Sequence, residues 1–232
     1  MEEKYISLWD KSAEENDYAG HLNTTRDADV IVVGGGFTGL STAYHGAKLG
    51  LDIHVLEANK IGYGGSGRNT GLVNAGLWLP PQDVNKKLGT KSGASLIETL
   101  GKMPEYVFSL IEKQQIQCEA THIGTSHAAH SLAGLKNLEA RAQEWQRLGA
   151  PVELLTAKET ESKTGTKRFY GGLLDNRAGT INPMGYVRGL ARIALAAGAR
   201  ISTGIHVEKL SREDGLWPVS YTHLTLPTSD LV

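Results

Sequence analysis

The 232-residue chain is long enough for one large domain or two small ones, with a buried core in either case. Its 24 basic and 25 acidic residues give a net charge of −1, and neither sign gathers into a block, so nucleic acid and anionic membranes have no electrostatic footing. One cysteine, Cys118, excludes an internal disulfide and fits a reducing compartment; with no basic neighbour or CxxC spacing it reads as a small buried apolar residue. Met1-Glu2-Glu3-Lys4 lacks the apolar core of a signal peptide and no apolar run reaches membrane-spanning length, so a soluble cytoplasmic protein is expected.

Residues 1–26 are polar and aperiodic, with isolated Tyr5, Trp9 and Tyr18, and are expected to form an arm lying over the domain that follows. Residues 28–33 are an apolar, β-branched run that predicts a strand. They lead into Gly34-Gly35-Gly36-Phe37-Thr38-Gly39, an amphipathic helix over 40–49, and a second strand over 52–57 that closes on an acid. Each part has a use in holding a dinucleotide. Gly34 permits a tight turn out of the strand, Gly36 lets backbone approach a pyrophosphate, and Gly39 lets helix and strand pack closely. The free N–H groups at the helix N-terminus, with the helix dipole behind them, face the phosphates. Glu57, 23 residues after Gly34, stands where a carboxylate accepts hydrogen bonds from a ribose. NAD and FAD both use this arrangement.

The stretch Gly62-Tyr63-Gly64-Gly65-Ser66-Gly67-Arg68-Asn69-Thr70-Gly71 is too rich in glycine for helix or regular strand. Residues 83–115 read as mostly helical with an interruption near Pro104, and 117–126 as a strand. Ser131 caps a helix whose Leu132, Leu135, Leu138, Ala142, Trp145 and Leu148 share a face and which stops at Gly149. Thr156-Ala157-Lys158-Glu159 is a capping box opening a short helix. Residues 170–175 predict a strand. Asn182-Pro183 is an N-cap with proline at the first helical position, the helix reaching Gly198, and 200–210 alternates as one strand. A βαβ unit, a helix-rich excursion and a further helix–strand pair predict a nucleotide domain interrupted by part of a second one.

The stretches VVGGGFTGL, VLEANKIGYGGSGRNTG and INPMGYVRGLARIALAAGARI resemble the D-amino-acid-oxidase-like flavoproteins, and within them the γ-glutamylputrescine oxidase group with its glycine-oxidase and sarcosine-oxidase relatives. The resemblance spans roughly residues 20–217 and implies an α/β fold. A Rossmann-like FAD-binding domain of the glutathione-reductase type (27–80 and 179–217) would accompany an incomplete α+β substrate domain (81–178). It implies FAD contacts at Gly34, Gly36, Phe37, Thr38, Gly39, Glu57, Ala58, Gly65, Ser66, Arg68, Asn69, Gly71 and Val207. Within that set Ser66 to Gly71 wrap the pyrophosphate and approach the flavin, and the Val207 backbone touches adenine. Arg68 is suited to bidentate hydrogen bonds with phosphate. Relatives that attach flavin covalently carry histidine or cysteine near the arginine loop; here Asn69 stands there, so FAD is expected to be non-covalent. Asn69-Thr70-Gly71 replaces the asparagine-glycine-glycine of the nearest group.

The activity implied is hydride transfer from the carbon bearing an amine or amino-acid nitrogen to flavin, then imine hydrolysis and reoxidation by oxygen. A dehydrogenase passing electrons to a quinone or carrier, or a non-catalytic nucleotide-binding fragment, are the alternatives. No catalytic residue is identified. His122, His127 and His130 lack carboxylate partners at ligand spacing, so no metal is expected. His45 reads as a packing or surface residue, and Trp78 and Trp145 as core or domain-contact aromatics. Asp175-Asn176-Arg177 and Asn182 stand at a chain crossover, as candidates to line the substrate side. Residues 218–232, from Pro218-Val219-Ser220-Tyr221 onward, resemble a translated sequencing adaptor. The credible chain is therefore expected to end near Trp217, as the N-terminal part of a longer enzyme and inactive by itself.

Overall fold

The computed structural model describes residues 7–18, 20, 27–77, 79–214 and 216–223; Tyr5, Trp78 and the end of the tail, 224–232, lie outside the described residues. In chain order the elements are α1 (Leu8–Ser12), β1 (Val30–Val33), α2 (Phe37–Lys48), β2 (Ile53–Glu57), β3 (Leu72–Val73), α3 (Pro81–Leu88), α4 (Thr90–Gln114), β4 (Thr125–Ala129), α5 (Leu132–Arg147), β5 (Val152–Thr156), α6 (Ala157–Thr164), β6 (Gly171–Asp175), β7 (Gly179–Thr180), α7 (Pro183–Ala196), β8 (Arg200–Thr203), β9 (Ile205–Leu210) and β10 (Val219–His223). The chain divides into two compact units. One comprises 1–70, 114–119 and 182–232; the other comprises 71–113 and 120–181.

The first unit is built on a parallel sheet of order β1-β2-β8, with Val30 opposite Ile53 and Leu56 opposite Ser202. Its middle strand, β2, is buried from Ile53 to Leu56, as expected of a parallel strand covered on both faces. Helix α2 packs on β2 and α7 through small residues. A Cβ on Gly46 would fall well inside 3.0 Å of Ile53 Cδ1, and Ala43 is fully buried. Helix α7 buries Val187, Leu190, Ala191 and Ala194, and is capped by Asn182 Oδ1, which accepts from the Gly185 N–H at 3.0 Å. A separate antiparallel ribbon pairs β9 with β10, Val207 facing Tyr221.

A polar pair sits inside this sheet. His54 on β2 is 5% exposed. Arg200 Nη1 lies 3.3 Å from its Nδ1 and Ser202 Oγ 2.9 Å from its Nε2. Because arginine only donates, Nδ1 must accept and Nε2–H donates to Ser202. Burial, then the Arg200 charge, holds the imidazole pKa below its ordinary value, against the weaker pull of Asp52. A group whose folded pKa is depressed binds its proton more readily unfolded, at about pH 6.5. Stability is therefore expected to be full above that pH and to fall as pH drops below it toward the folded value. Urea midpoints at pH 7.5 and 5.5 check this, and a gap as large in His54→Gln as in the wild type would refute it.

The second unit is α+β. An antiparallel sheet of order β4-β6-β5 carries α5 on one face, where Leu138, Ala142 and Trp145 meet Ala129, Val152 and Leu173. A two-stranded ladder pairs Leu72 with Thr180, and Phe108 on α4 stacks on His122 at 4.0 Å between ring centres.

Several boundaries differ from the sequence reading. The helical break falls at Gly89 (φ 78°), not at Pro104, which is buried inside a continuous α4. The apolar face at Phe108, Leu110 and Ile111 outweighs one lost backbone hydrogen bond there. No strand runs over 117–126. Glu119 and Gly124 have positive φ, and only Thr121 bridges to Thr180 before β4 begins at Thr125. The expected strand over 200–210 is two strands, parted at Gly204 (φ 72°). Leu132 and Leu148 are 63% and 57% exposed, because they occupy the ends of α5 beyond the three-stranded sheet. The arm contains α1, opened by a capping box in which Ser7 and Asp10 satisfy each other's backbone.

Candidate functional site

Strand β1 ends at Val33 and the chain turns at Gly34, whose φ of 104° only glycine adopts freely. The Gly34 N–H donates to Leu56 O at 2.8 Å, tying the turn to β2. The next N–H, of Gly35, donates to Glu57 Oε2 at 2.6 Å. Gly36 caps α2 in extended conformation, and the Phe37 N–H donates to Ser66 Oγ at 3.0 Å. A Cβ on Gly39 would lie well inside 3.0 Å of Gly34 O and 3.1 Å from Val32 Cγ1, so helix and turn meet backbone to backbone. Among the described residues the N–H groups of Gly36, Thr38 and Gly39 have no hydrogen-bond partner. With the dipole of α2 behind them they form a ready receptor for an anion.

Glu57 closes the turn. Its Oε1 accepts the Asn59 N–H at 2.8 Å while Oε2 holds Gly35, so the carboxylate is fixed in place and each oxygen keeps a lone pair for a hydroxyl donor. Ala58 follows, half-buried. The loop after β2 folds under α7: a Cβ on Gly67 would strike Gly62 O and Met184 Cε, and one on Gly62 would strike Val187. Asn69 ties the loop to itself, Nδ2 donating to Ser66 O at 2.9 Å and to Gly65 O at 3.2 Å. Phe37 rests edge-on against Tyr186 of α7 at 5.3 Å.

The structure thus brings together Gly34, Gly36, Phe37, Thr38, Gly39, Glu57 and Ser66, with Gly65 and Asn69 directly behind. It does not bring Arg68 to the turn: the guanidinium is exposed, Nε donating to Gly64 O at 3.1 Å and the group lying 5.4 Å over Tyr63. Gly71 belongs to the second unit, its carbonyl accepting the Ile181 N–H at 2.8 Å. Val207 lies on the β9–β10 ribbon, outside the sheet that carries Glu57. Asn182 is spent on capping α7 and on donating to Ser12 and Glu119. Arg177 chelates Asp175 and lies 4.7 Å over Trp145, and Asn176 donates to Glu153. Cys118 is buried, and burial together with Glu15 and Glu119 pushes its thiol up to about 12, an inert group. Among the described residues no group of three or more His, Cys, Asp or Glu is placed to hold a metal, and no helix is long and apolar enough to cross a membrane.

Sequence reasoning missed the arm's role at this loop. Trp9 Nε1–H donates to Asn69 O at 2.9 Å, and behind it Asp10 pairs with Arg188 at 2.9 Å and Glu15 with Arg192 at 2.8 Å. The signal available was the Ser7–Asp10 spacing, which marks a helix start in an otherwise aperiodic segment. A cavity of about 540 Å3 lies elsewhere in the first unit, lined by Ile31, His54 and Leu56 on one side and by Trp217, Val219 and Tyr221 on the other. The glycine turn takes no part in it.

The family described as DAO, FAD dependent oxidoreductase, matches residues 29–229. The chain belongs to this family. FAD is the cofactor of DAO proteins, which decides the choice between NAD and FAD that a glycine turn leaves open. Gamma-glutamylputrescine oxidoreductase of Escherichia coli (strain K12) is 34% identical over 193 residues, covering 82% of this chain and 45% of that protein. Sarcosine oxidase subunit beta of Rhizobium meliloti (strain 1021) is 31% identical over 196 residues, 81% of this chain and 44% of that one. Glycine oxidase from Geobacillus kaustophilus shares the fold with a TM-score of 0.71 at 22% identity, over 85% of this chain and 52% of that one. The chain spans about half the length of the curated relatives it matches. The residues present suit FAD: open N–H donors for a diphosphate, and a fixed carboxylate with lone pairs to spare for a ribose.

Proposed function

We propose that this DAO-family chain supplies the FAD-binding part, and the start of the substrate domain, of an oxidoreductase acting on a small amine or amino acid. The observation that carries the reading is the Gly35–Glu57 hydrogen bond of 2.6 Å beside the open N–H groups of α2, within a match to the family over residues 29–229. The FAD diphosphate is taken to lie on the N–H groups of Gly36, Thr38 and Gly39, and the adenosine ribose on Glu57. Ser66 keeps its hydroxyl hydrogen for a phosphate oxygen, since its oxygen already accepts from Phe37. Arg68, exposed and hinged on Gly64, is free to swing from Tyr63 to the diphosphate when the cofactor arrives. No cysteine or histidine lies within the 62–71 loop, which supports non-covalent attachment.

When bound, FAD would supply the acceptor for a hydride from the carbon that bears the substrate's nitrogen; the protein's share would be orientation and exclusion of water. Oxygen is the proposed electron acceptor, by the kinship with a sarcosine oxidase subunit. The test is reconstitution with FAD and with NAD. The protein is expected to take up FAD, show visible flavin absorbance, and release the cofactor into the supernatant on acid precipitation. Tight NAD binding with no flavin uptake would sink the reading. Pigment left in the acid pellet would sink the non-covalent part alone, and, in an enzyme completed by the rest of the substrate domain, dye reduction without peroxide would move the acceptor from oxygen to a carrier.

A further inference from the structure

The arm ahead of β1 is joined to the rest of the first unit by polar contacts that pair nearly buried charges. Asp10 on α1 pairs with Arg188 of α7 at 2.9 Å, and that arginine side chain is only 10% exposed. Glu15, 7% exposed at its side chain, receives two hydrogen bonds from Arg192, at 3.0 and 2.8 Å, and a third from the Gln117 N–H. Burial raises the Glu15 pKa, but the hydrogen bonds from Arg192 and Gln117 outweigh it and hold the carboxyl below its ordinary value. Ser12 accepts from Asn182, the cap of α7. A five-residue helix has little stability of its own, so these ties are what hold α1 in one place.

From that fixed position α1 also reaches the loop after β2. Trp9 Nε1–H donates to the Asn69 carbonyl. Asn69 in turn donates through Nδ2 to the Ser66 carbonyl, and the Ser66 hydroxyl receives the Phe37 N–H at the start of α2. The indole is therefore the outer end of a chain of hydrogen bonds that runs through the 64–70 loop to the glycine turn. We propose that the N-terminal arm is a latch, in which Trp9 acts as a positioning residue that holds the 64–70 loop closed over the FAD diphosphate and so sets how long the cofactor stays bound. This rests on the FAD reading above. A loop of three glycines in seven residues loses much entropy when it closes, and one fixed anchor outside it lowers that cost in advance of binding.

Trp9→Phe keeps the ring and deletes the donor, and Asp10→Asn loosens α1 from Arg188 without touching the loop. Trypsin cleavage after Arg68, followed without cofactor, reads the latch directly; FAD dissociation constant and release rate read its consequence. In both variants cleavage should quicken and FAD affinity should drop about three- to tenfold, the worth of one hydrogen bond, mostly through faster release. The urea midpoint of cofactor-free Trp9→Phe should stay at the wild-type value, which a merely structural tryptophan would not allow; Asp10→Asn, which leaves the nearly buried Arg188 without that carboxylate, is read by cleavage and FAD release alone. Lys11→Gln, on the same helix, should change nothing. Unaltered cleavage and FAD release in Trp9→Phe overturn the proposal, as does a fall in urea midpoint that accounts for the lost affinity. If wild-type protein takes up no FAD, the cofactor reading has failed instead, and the cleavage rates still decide whether the arm orders the loop.

Discussion

Gly39→Ala is expected to destabilise the first unit by about 3 kcal/mol, the upper end of what overpacking costs, and to abolish saturable FAD uptake. The added Cβ would fall well inside 3.0 Å of Gly34 O, and that neighbour is backbone rather than the tip of a flexible side chain. Only two adjustments are open. Either α2 lifts away from β1, uncovering the buried Leu40 and Ala43, or the turn at Gly34 opens and drops its bond to Leu56 O. Both displace the Thr38 and Gly39 N–H groups by a sizeable part of a hydrogen-bond length. The same substitution at Gly101, inside α4, meets only the side-chain atom Arg177 Nη1 at 3.3 Å, so helix propensity and that contact oppose each other and the change should stay within about 1 kcal/mol. Urea unfolding of the two variants side by side makes the comparison; equal midpoints would show that the contact at Gly39 is not as close as described.

Glu57→Gln should cost roughly 1–3 kcal/mol of FAD affinity while leaving the fold intact. Both carboxylate oxygens accept a backbone N–H, from Gly35 and from Asn59. An amide has one acceptor and one donor end, so whichever way it turns, its NH2 group confronts one of those two N–H groups. It relieves this by rotating away, which removes the acceptor from the ribose as well as from the backbone. Affinity is thus lost twice, by the missing charge and by the misplaced side chain. Titration of cofactor-free protein by flavin fluorescence reads the change. An unchanged dissociation constant would place the ribose elsewhere and shift attention to Asn59 or Lys60 at the same strand end.

The parts of the molecule legible in the sequence were those governed by nearest neighbours. The Ser131 and Asn182 caps and the Thr156–Glu159 box depend on residues within four positions of one another, and the β1–α2–β2 unit on an apolar, glycine and helical pattern contained in one short stretch. What escaped depends on distant partners. The latch between Trp9 and Asn69 spans 60 positions, and Glu15–Arg192 spans 177; neither leaves a local trace beyond a capping box. Pro104 misled because the penalty of a proline is local whereas the burial that outweighs it is tertiary. For the site, residue types picked out Gly34, Gly36 and Gly39, which the turn's backbone geometry demands, and Glu57, whose carboxylate ties that turn to the end of β2. They could not tell that the exposed Arg68 side chain would turn back onto Gly64 O and Tyr63 of its own loop, because an exposed loop arginine has several such partners within reach.

The central strand also has a history in time. During synthesis β2 finds β1 almost at once, but its other neighbour, β8, arrives much later, with Arg200 following His54 by 146 positions. At translation rates of about 5–20 residues per second, that gap is roughly 7–30 s in which one whole side of β2 has no strand beside it. A bare, apolar edge of that kind is an invitation to other chains. The nascent protein is therefore expected to be most prone to association while residues 58–199 are being made, before β8 covers that side of β2.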